Sequence, residues 1–378
     1  MEIRGLHYRT GFPLKVTLER GLISRLEVTS GPRSPELPWL APGLFDLQVN
    51  GAEGCWFSSE QLTVDEVLQV LRTLQRHGVA RLFPTLITNS REALEHGFRV
   101  LERTRLEVPW ADRMMAGYHL EGPWISPEDG PRGAHPLVHV RPCDPQEFAA
   151  LQRSAGGKIR LLTLAPEVPG APDLIRQATA SGVVCAIGHT AATAAEIAAA
   201  VSAGASLSTH FGNGSHGVLP RHPNYLWDQL AEPRLAASVI PDGQHVPAAV
   251  LRAVLLAKGT ERVIVTSDAS GLAGSPPGIY PAAGGHCEVL EDGRIVVAGQ
   301  RQYLAGSGAF TEECVAGMMR LTGVDLPTAW HMAQRNPGEL CRVAVPQLSI
   351  GTLAELVSFR VSAAGAIQVQ QTIGFGHG

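Results

Sequence analysis

Acidic and histidine side chains recur in this sequence at one kind of place, directly after short apolar runs. They are Glu121 in "HLEG", His189 in "IGHT", His210 in "STHF", Asp242 and His245 in "PDGQH", and Asp268 in "TSDA". Imidazoles and carboxylates ligate catalytic metals and move protons in hydrolysis. A polar group that is buried without a partner costs about 2–7 kcal/mol. The recurrence therefore indicates a metal-dependent active site rather than packing.

The segment "LFDLQVNG", residues 44–51, is also an apolar run, but the polar residues near its end are amides. Its apolar residues alternate with Asp46, Gln48 and Asn50. In many metal-dependent hydrolases such a strand carries His-x-His, which places two imidazoles on one face. Neutral amides are poor substitutes for imidazole at a divalent transition metal. Three interpretations are open at this point: a lost metal site, a site with fewer metals, or amides that only satisfy backbone groups at a strand end.

Eight apolar runs of strand length alternate with segments that have helical periodicity. The runs cover residues 43–49, 80–88, 114–122, 158–166, 182–190, 205–213, 234–243 and 262–270. Intervening segments such as "TVDEVLQVLRTLQRHG" close on a glycine, which is typical of a helix C-terminus. The alternation predicts an α/β fold, a (β/α)8 TIM barrel rather than an open doubly wound sheet. The chemistry of such barrels lies at the carboxyl ends of the strands, where the polar residues occur.

The two ends of the chain have a different pattern. Residues 1–41 and 343–378 contain short strand-like runs with turns, and neither segment has a set of histidines or carboxylates. We predict that together they form one small β-domain, and that the barrel occupies residues 42–342. The barrel carries an insertion, residues 271–306, that is rich in glycine and proline and has an Asp-Gly hairpin signal. A rim or lid of the site and a plain surface excursion are both compatible with this insertion.

Composition excludes several classes of function. The 378 residues carry a net charge of −4 and no run of lysine or arginine, so a nucleic-acid partner or a polybasic membrane surface is not expected. The N-terminal residues form no apolar signal segment, and no stretch has the length of a membrane span. The six cysteines are scattered without a C-x-x-C pair, which is typical of reduced thiols in a cytoplasmic protein.

A series of motifs in one order over nearly the whole chain carries a family resemblance. They are "PGLFDLQVNG", "HLEGPWIS", "GAHP", "IGHTAAT", "STHFGNG", "DGQHV", "TSDAS" and "LAGS". Together they resemble the N-acetylglucosamine-6-phosphate deacetylases of the amidohydrolase superfamily. The resemblance implies a metal-dependent hydrolase barrel inserted in a small β-sandwich. It also implies a homodimer and a phosphorylated N-acetylated amino sugar as the small-molecule substrate.

The resemblance assigns roles residue by residue. The metal ligands of the family match Glu121, His189 and His210, and its catalytic aspartate matches Asp268. His245 would donate a hydrogen bond to the acetyl carbonyl, although a surface loop histidine would look the same in sequence. The substrate contacts of the family match Ala134, His135, Asn213, Gly214, Arg221, Asp242, His245, Ala305, Gly306 and Ser307.

The resemblance also favours one of the three interpretations of Gln48 and Asn50. Some members of the family have His-x-His and hold two metals, and others have Gln-x-Asn and hold one. Gln48 and Asn50 match the second kind, so we expect one divalent metal ion per chain. Two histidines and a glutamate leave an open position on a catalytic zinc. Zn²⁺ is therefore favoured, and Fe²⁺, Co²⁺ and Mn²⁺ suit the same ligands.

The chain departs from the family at "GNGSHGVLPRHPN", where Asn-Ala-Met is common after the Thr-His. Arg221 keeps its spacing from His210 and is the candidate for the phosphate, because a planar guanidinium suits bidentate contacts. A solvated loop arginine is the alternative. The predicted function is hydrolysis of the N-acetyl group of N-acetylglucosamine 6-phosphate. Alternatives are N-acetylgalactosamine 6-phosphate or an N-acyl amino acid as substrate, and a non-catalytic sugar-phosphate binder.

Overall fold

A barrel built on a closed ring of eight parallel strands forms the larger part of the chain. The structure is a computed structural model that describes residues 1–28, 36–282 and 285–374. The order of the strands in the ring follows their order in the sequence. They are Leu44–Val49, Val79–Ile87, Tyr118–Glu121, Ile159–Leu164, Val184–Ile187, Leu207–Ser208, Ala236–Val239 and Val263–Val265. A parallel bridge between Val49 and Ala269 joins the first strand to the end of the eighth, so the predicted (β/α)8 barrel is confirmed.

Helices fill most connections between the strands. The α-helices are Val64–Arg76, Arg91–Glu107, Pro109–Met114, Pro145–Ser154, Ala171–Ala180, Ala194–Ala203, Tyr225–Ala231, Ala248–Lys258, Thr311–Thr322, Leu326–Met332 and Arg335–Cys341. Two 3-10 turns lie at Leu137–His139 and Thr260–Arg262. The first helix begins at a capping box in which the Thr63 hydroxyl accepts from the Glu66 N–H, and the Glu66 carboxylate accepts from the Thr63 N–H. No helix in the described part of the chain is both long and apolar enough to cross a membrane.

An apolar cluster fills the interior of the barrel below the polar strand ends. Seven of the eight strands contribute to it, and Phe45 and Phe83 meet edge to face with ring centroids 5.1 Å apart. Because residues from opposite sides of the ring are in one cluster, the interior is a packed core and not a channel. The polar site can therefore open only toward the carboxyl ends of the strands.

The small domain is one six-stranded sheet built from both ends of the sequence. In spatial order its strands are Ile367–Ile373, Leu356–Val361, Trp39–Pro42, Glu2–His7, Pro13–Glu19 and Leu22–Val28. The last strand also bonds to the segment before Leu356, because the Ile23 N–H donates to the Thr352 carbonyl at 2.9 Å. The sheet thus folds back on itself as a β-sandwich around an apolar core.

The domain limits expected from the sequence remain a prediction. Strand Trp39–Pro42 extends one residue past the expected limit at 41, and helix Arg335–Cys341 ends just before 343. Residues 29–35 and 375–378 of the expected small domain lie outside the described residues.

The insertion forms a four-stranded antiparallel sheet, which we call the insertion sheet. Its strands are Gly278–Ala282, Gly285–Val289, Ile295–Val297 and Gln300–Leu304. The turn between the second and third strands contains Asp292 and Gly293, and Gly293 has the positive φ of 83° that this tight turn requires. A separate short hairpin pairs Gly51–Ala52 with Cys55–Trp56.

Candidate active site

A cavity of about 480 Å³ opens at the carboxyl ends of the barrel strands. Glu121, His189, His210, His245 and Asp268 all line it. These five side chains come from four strand ends and from the loop after the seventh strand. The structure therefore places around one cavity five of the six acidic and histidine residues that the sequence pattern indicated; the sixth, Asp242, does not line it.

Three ligand atoms converge at the floor of this cavity. Glu121 Oε1 lies 3.2 Å from His189 Nε2 and 3.0 Å from His210 Nε2, and the two ring nitrogens are 3.1 Å apart. All three residues are buried, and among the described residues they form the one cluster of donors suited to a metal ion. Two nitrogens and one carboxylate oxygen are a donor set that suits Zn²⁺ and its neighbours.

A hydrogen bond at the far side of the His189 ring leaves its Nε2 atom for the cavity. His189 Nδ1 lies 2.9 Å from the Pro131 carbonyl, a bond that requires the proton on Nδ1 and leaves a lone pair on Nε2. Burial alone would raise the pKa of Glu121, but its close contacts with the imidazoles of His189 and His210 hold the pKa well below its usual range. The group is an ionised carboxylate, as a metal ligand must be.

The backbone is strained where these side chains enter the cavity. His189, His210 and Asp268 have φ values of 52°, 30° and 50°, in the left-handed region that non-glycine residues seldom adopt. Each such conformation costs about 1–3 kcal/mol and persists only where surrounding structure imposes it. At all three positions the chain leaves its strand and turns the side chain toward the ring axis.

Gln48 and Asn50 occupy the edge of the site and bond to its carboxylates. Gln48 Nε2 donates to Glu121 Oε1 at 3.0 Å, and Asn50 Nδ2 donates to Asp268 Oδ1 at 2.8 Å. Among the described residues, the amide oxygens of both side chains have no hydrogen-bond partner. The amides thus support the acidic groups directly, instead of only satisfying backbone groups at a strand end.

Asp268 is a buried carboxyl group with a raised pKa. Burial and the charge of Glu121 raise it to about 6, while His210, His245 and the Asn50 hydrogen bond oppose the shift. A carboxyl with a pKa near neutrality can both accept and return a proton.

His245 is held in place by Asp242, which itself lies behind the cavity wall. Asp242 Oδ2 is 2.7 Å from His245 Nδ1 and accepts from Ser307 Oγ at 3.1 Å. Asp242 Oδ1 accepts from the backbone N–H of Gln244 and of His245. Because Nδ1 is engaged, His245 Nε2 is the ring atom that remains for a ligand. The expected substrate contacts of Asp242 and Ser307 stay a prediction; in the structure Ser307 bonds to Asp242, and Asp242 bonds to His245.

Most other predicted contact residues lie on the cavity wall. They are Ala134, His135, Asn213, Gly214, Ala305 and Gly306. Burial lowers the pKa of His135 to about 3, so its ring is neutral, and Thr88 Oγ1 lies 2.8 Å from its Nδ1. A Cβ atom on Gly214 would stand 2.7 Å from His189 Nδ1, which explains the small residue at this point.

Arg221 is placed outside this cavity. It lies exposed in the loop after the sixth strand and is not among the residues that line the cavity of its own chain. Its assignment to the phosphate stays a prediction.

Several residues of the cavity wall were not predicted from the sequence. Trp56 and Ile87 line the cavity, and so do Arg301 and Tyr303 of the insertion sheet and Arg294 in the turn before its third strand. The insertion sheet is thus a rim of the cavity and not a remote surface excursion. The one signal in the sequence was the short distance from Arg301 to the "LAGS" motif.

Two known proteins that are similar to this chain are named as deacetylases of phosphorylated N-acetyl sugars. The chain is 34% identical over 312 residues to N-acetylglucosamine-6-phosphate deacetylase from Bos taurus, which covers 80% of this chain and 74% of the relative. It is 32% identical over 317 residues to N-acetylgalactosamine-6-phosphate deacetylase from Shewanella sp. (strain ANA-3), covering 84% and 76%. No protein-family model matches the sequence.

Solved structures agree with the sequence relatives. N-acetyl-D-glucosamine-6-phosphate deacetylase from Mycobacterium smegmatis superposes with a TM-score of 0.87 at 28% identity, over 100% of this chain and 99% of that one. A mutant of that enzyme, in complex with N-acetyl-D-glucosamine-6-phosphate, gives 0.86 over 98% and 97%.

The chain belongs to the N-acetylglucosamine-6-phosphate deacetylase family. It is therefore a hydrolase of amide C–N bonds in a metal-dependent superfamily. Within the deacetylase fold, the buried cluster Glu121, His189 and His210 is the group that could hold the metal ion.

Proposed function

We propose that this chain hydrolyses the N-acetyl group of N-acetylglucosamine 6-phosphate, giving glucosamine 6-phosphate and acetate in amino-sugar metabolism. The observation that carries the proposal is the meeting of Glu121, His189, His210 and Asp268 in one cavity of a deacetylase fold. Relatives that bear this activity in their names support the choice of substrate.

The chemistry follows from the residues around the cavity floor. A divalent cation held by Glu121, His189 and His210 would supply Lewis acidity and lower the pKa of a bound water. Asp268 accepts the proton of the attacking water and returns it to the leaving amine, so that the sugar departs as a neutral amine. The raised pKa of Asp268, about 6, suits both transfers.

His245 stabilises the charge that develops on the acetyl oxygen. In its imidazolium form His245 donates from Nδ1 to Asp242, which fixes the plane of the ring, and from Nε2 toward that oxygen. His135, Asn213 and Gly214 form the part of the wall available for the hydroxyls of the sugar.

One Zn²⁺ per chain is the proposed metal content, with Fe²⁺, Co²⁺ or Mn²⁺ as alternatives. The contacts of Gln48 and Asn50 favour a single metal ion. Their amide nitrogens donate to Glu121 and Asp268 at the place where a second ion would need imidazole ligands. Elemental analysis of protein purified without added metal should give a stoichiometry near one. Two tightly held ions, or none after reconstitution, would contradict this part of the proposal.

We further propose a cytoplasmic homodimer. The six cysteines are free thiols, which suits a reducing compartment. Val218 and Trp227, in the region of Arg221, are 89% and 56% exposed and could be covered by a second subunit. In such a dimer Arg221 would contact the phosphate in the site of the neighbouring subunit.

N-acetylgalactosamine 6-phosphate is the second candidate substrate. It is favoured by two relatives that are named as deacetylases of that sugar, at 32% identity each. An N-acyl amino acid or a non-catalytic binding role has no such support, and the intact Asp268 and ligand cluster argue against loss of activity.

Release of acetate across a small substrate panel tests the proposal. The panel contains N-acetylglucosamine and N-acetylgalactosamine, each with and without the 6-phosphate, and one N-acetyl amino acid. We expect the highest kcat/KM for N-acetylglucosamine 6-phosphate. Preference for the galactose epimer would select the second candidate, and turnover of the amino acid alone would refute both sugar assignments.

A further inference from the structure

A second cavity, of about 700 Å³, lies between the barrel and the small domain, and we call it the interdomain cavity. It is lined by Tyr8 and Arg9, which follow the first strand of the small domain, and by the barrel helix Arg335–Cys341 with the linker after it. Pro42, shortly before the first barrel strand, lines it too, whereas Asn50, after the end of that strand, lines the active site. The two cavities therefore lie at opposite ends of the barrel.

The interdomain cavity is positively charged, although the chain as a whole has a net charge of −4. Among the described residues that line it, Arg9, Arg335 and Arg342 carry positive charges and Glu339 carries the one negative charge. His7 lines it as well, but burial and the charge of Arg9 lower the pKa of its ring, so it is neutral at pH 7. Like charges in one cleft repel each other, and together they attract anions.

Two of these arginines, one from each domain, lie close to a buried tyrosine. The hydroxyl of Tyr8 accepts from Arg9 Nε at 2.8 Å and lies 3.3 Å from His331 Nε2. Burial and the charges of Arg9 and Arg335 all lower the pKa of His331, which places both guanidinium groups near this ring. The small domain and the barrel thus present cations at the same place.

All three guanidinium groups keep N–H donors for a ligand. Arg9 donates only from Nε, and Arg335 donates only from Nε, to Glu339 at 2.6 Å. Arg342 directly follows the last barrel helix, and its side chain bonds to no other residue in the described part of the chain. The unused terminal nitrogens of a guanidinium suit paired contacts with the oxygens of a phosphate or a carboxylate.

We propose that the interdomain cavity binds a small polyvalent anion, a molecule with at least two phosphate or carboxylate groups. The anion contacts Arg9 of the small domain together with Arg335 and Arg342 on the barrel side, and so holds the two domains against each other. A ligand that binds only the folded protein stabilises it, so occupancy raises the resistance of the chain to unfolding.

Thermal unfolding with two probes tests the proposal. Tricarballylate represents polycarboxylates, and fructose 1,6-bisphosphate represents molecules with several phosphates. Each is titrated at constant ionic strength, set with sodium chloride, so that charge screening is the same in all samples. Above saturation, the Tm of the wild type should rise with the logarithm of the probe concentration. A rise with only one probe supports the proposal and identifies the class of anion.

Arg9→Gln, Arg335→Gln and Arg342→Gln remove the charges and keep a polar side chain. Loss of a hydrogen bond to a charged group corresponds to roughly ten- to a hundredfold in affinity, so each variant should raise the apparent Kd by about that factor. The triple variant should show no rise in Tm. Glu339→Gln should bind more tightly, because the one negative charge of the cavity is gone. Arg20→Gln is the matched control, since Arg20 is also exposed and has the same φ as Arg342, 53°, but lines neither cavity.

Three results would overturn the proposal. They are no rise in the Tm of the wild type with either probe, an equal rise in the triple variant, and weaker binding in Glu339→Gln. The second result would place the anion at another site, such as the active site. Far-UV circular dichroism and the Tm without probe show whether each variant is folded. Because no step of this test measures turnover, its outcome is independent of the proposed deacetylase function.

Discussion

Asp268 has the properties that a proton-transferring residue needs. It is buried, it lines the cavity beside the ligand cluster, and its Oδ1 atom accepts a hydrogen bond from Asn50. It is not one of the three converging donors, so its chemistry can be removed without removing a ligand.

Asp268→Asn should lower kcat by roughly 10²–10⁴, the usual contribution of general acid–base catalysis. The amide is nearly the same size but can neither accept nor return the proton. The metal content, measured on the same preparation, should equal that of the wild type. Near-normal turnover would remove Asp268 from the mechanism, and loss of the metal would indicate a ligand role. Asp173→Asn, at an exposed helix position, is a suitable control.

The pH profile should follow the ionisation of Asp268. Burial and the charge of Glu121 raise its pKa to about 6, and a cation bound by Glu121 would offset the second effect. As a base it must be ionised, so kcat/KM should fall as the pH decreases through that pKa, at about pH 6 or below. Asn50→Leu removes a donor that favours the carboxylate, so the acid limb should move to higher pH. A limb at the wild-type position would show that Asn50 has no influence on Asp268.

On the scale of elements, the strands were easier to predict than the positions of their last residues. Apolar runs indicated all eight barrel strands, but the sixth is only Leu207–Ser208, shorter than the run from 205 to 213. The strand stops because the chain turns at His210 into a left-handed conformation. Such a conformation is imposed by packing. Histidine is enriched in it among non-glycine residues but still seldom adopts it, so the residue type alone could not mark this position.

The residues that form the walls of the site were also harder to predict than the strands. Spacing was sufficient to find the ligand cluster and Asp268, because parallel strands place their carboxyl ends at one edge. It could not reveal that Asp242 lies behind His245, or that Arg294 and Arg301 face the cavity. Both facts depend on how the segment after the insertion pairs with the eighth strand, through the bridge between Ala269 and Ser307.

The Asp242 contacts join two elements, the loop after the seventh strand and the segment after the insertion sheet. Asp242→Ala should leave His245 free to rotate, because the Nδ1 contact is lost. We expect kcat to fall roughly 10- to 100-fold, as is typical when an outer partner of a site residue is removed. KM should change less, and metal content should not change. An effect on KM alone would instead support the direct substrate contact expected from the sequence.

On the scale of the whole molecule, a buried ion pair connects the barrel to the small domain. Arg81, on the second barrel strand, donates from both terminal nitrogens to Glu355, at 2.9 and 2.7 Å. The side chain of Glu355 is only 5% exposed. Glu355 lies directly before strand Leu356–Val361, so the pair fixes where the two domains meet.

Glu355→Ala should destabilise the protein by about 3–5 kcal/mol, because it leaves the Arg81 charge buried without a partner. Replacing both residues, Arg81→Met with Glu355→Met, should be close to neutral, since both desolvated charges are removed together. Chemical denaturation of the three variants measures this difference. Additive losses in the double variant would mean that each residue acts through other contacts.

Because the small domain contains both ends of the sequence, its strands cannot all pair until the chain is almost fully synthesised. Strand Trp39–Pro42 pairs with Leu356–Val361, which is synthesised roughly 300 residues later. At about 5–20 residues per second, this edge waits unpaired for roughly 15–60 seconds. An uncovered strand edge is a template for wrong pairing between chains. We therefore expect the first strands of the nascent chain to stay open to wrong pairing until this partner is made. A purified chain that ends at residue 342 should be cleaved by protease within residues 1–42 sooner than in the barrel.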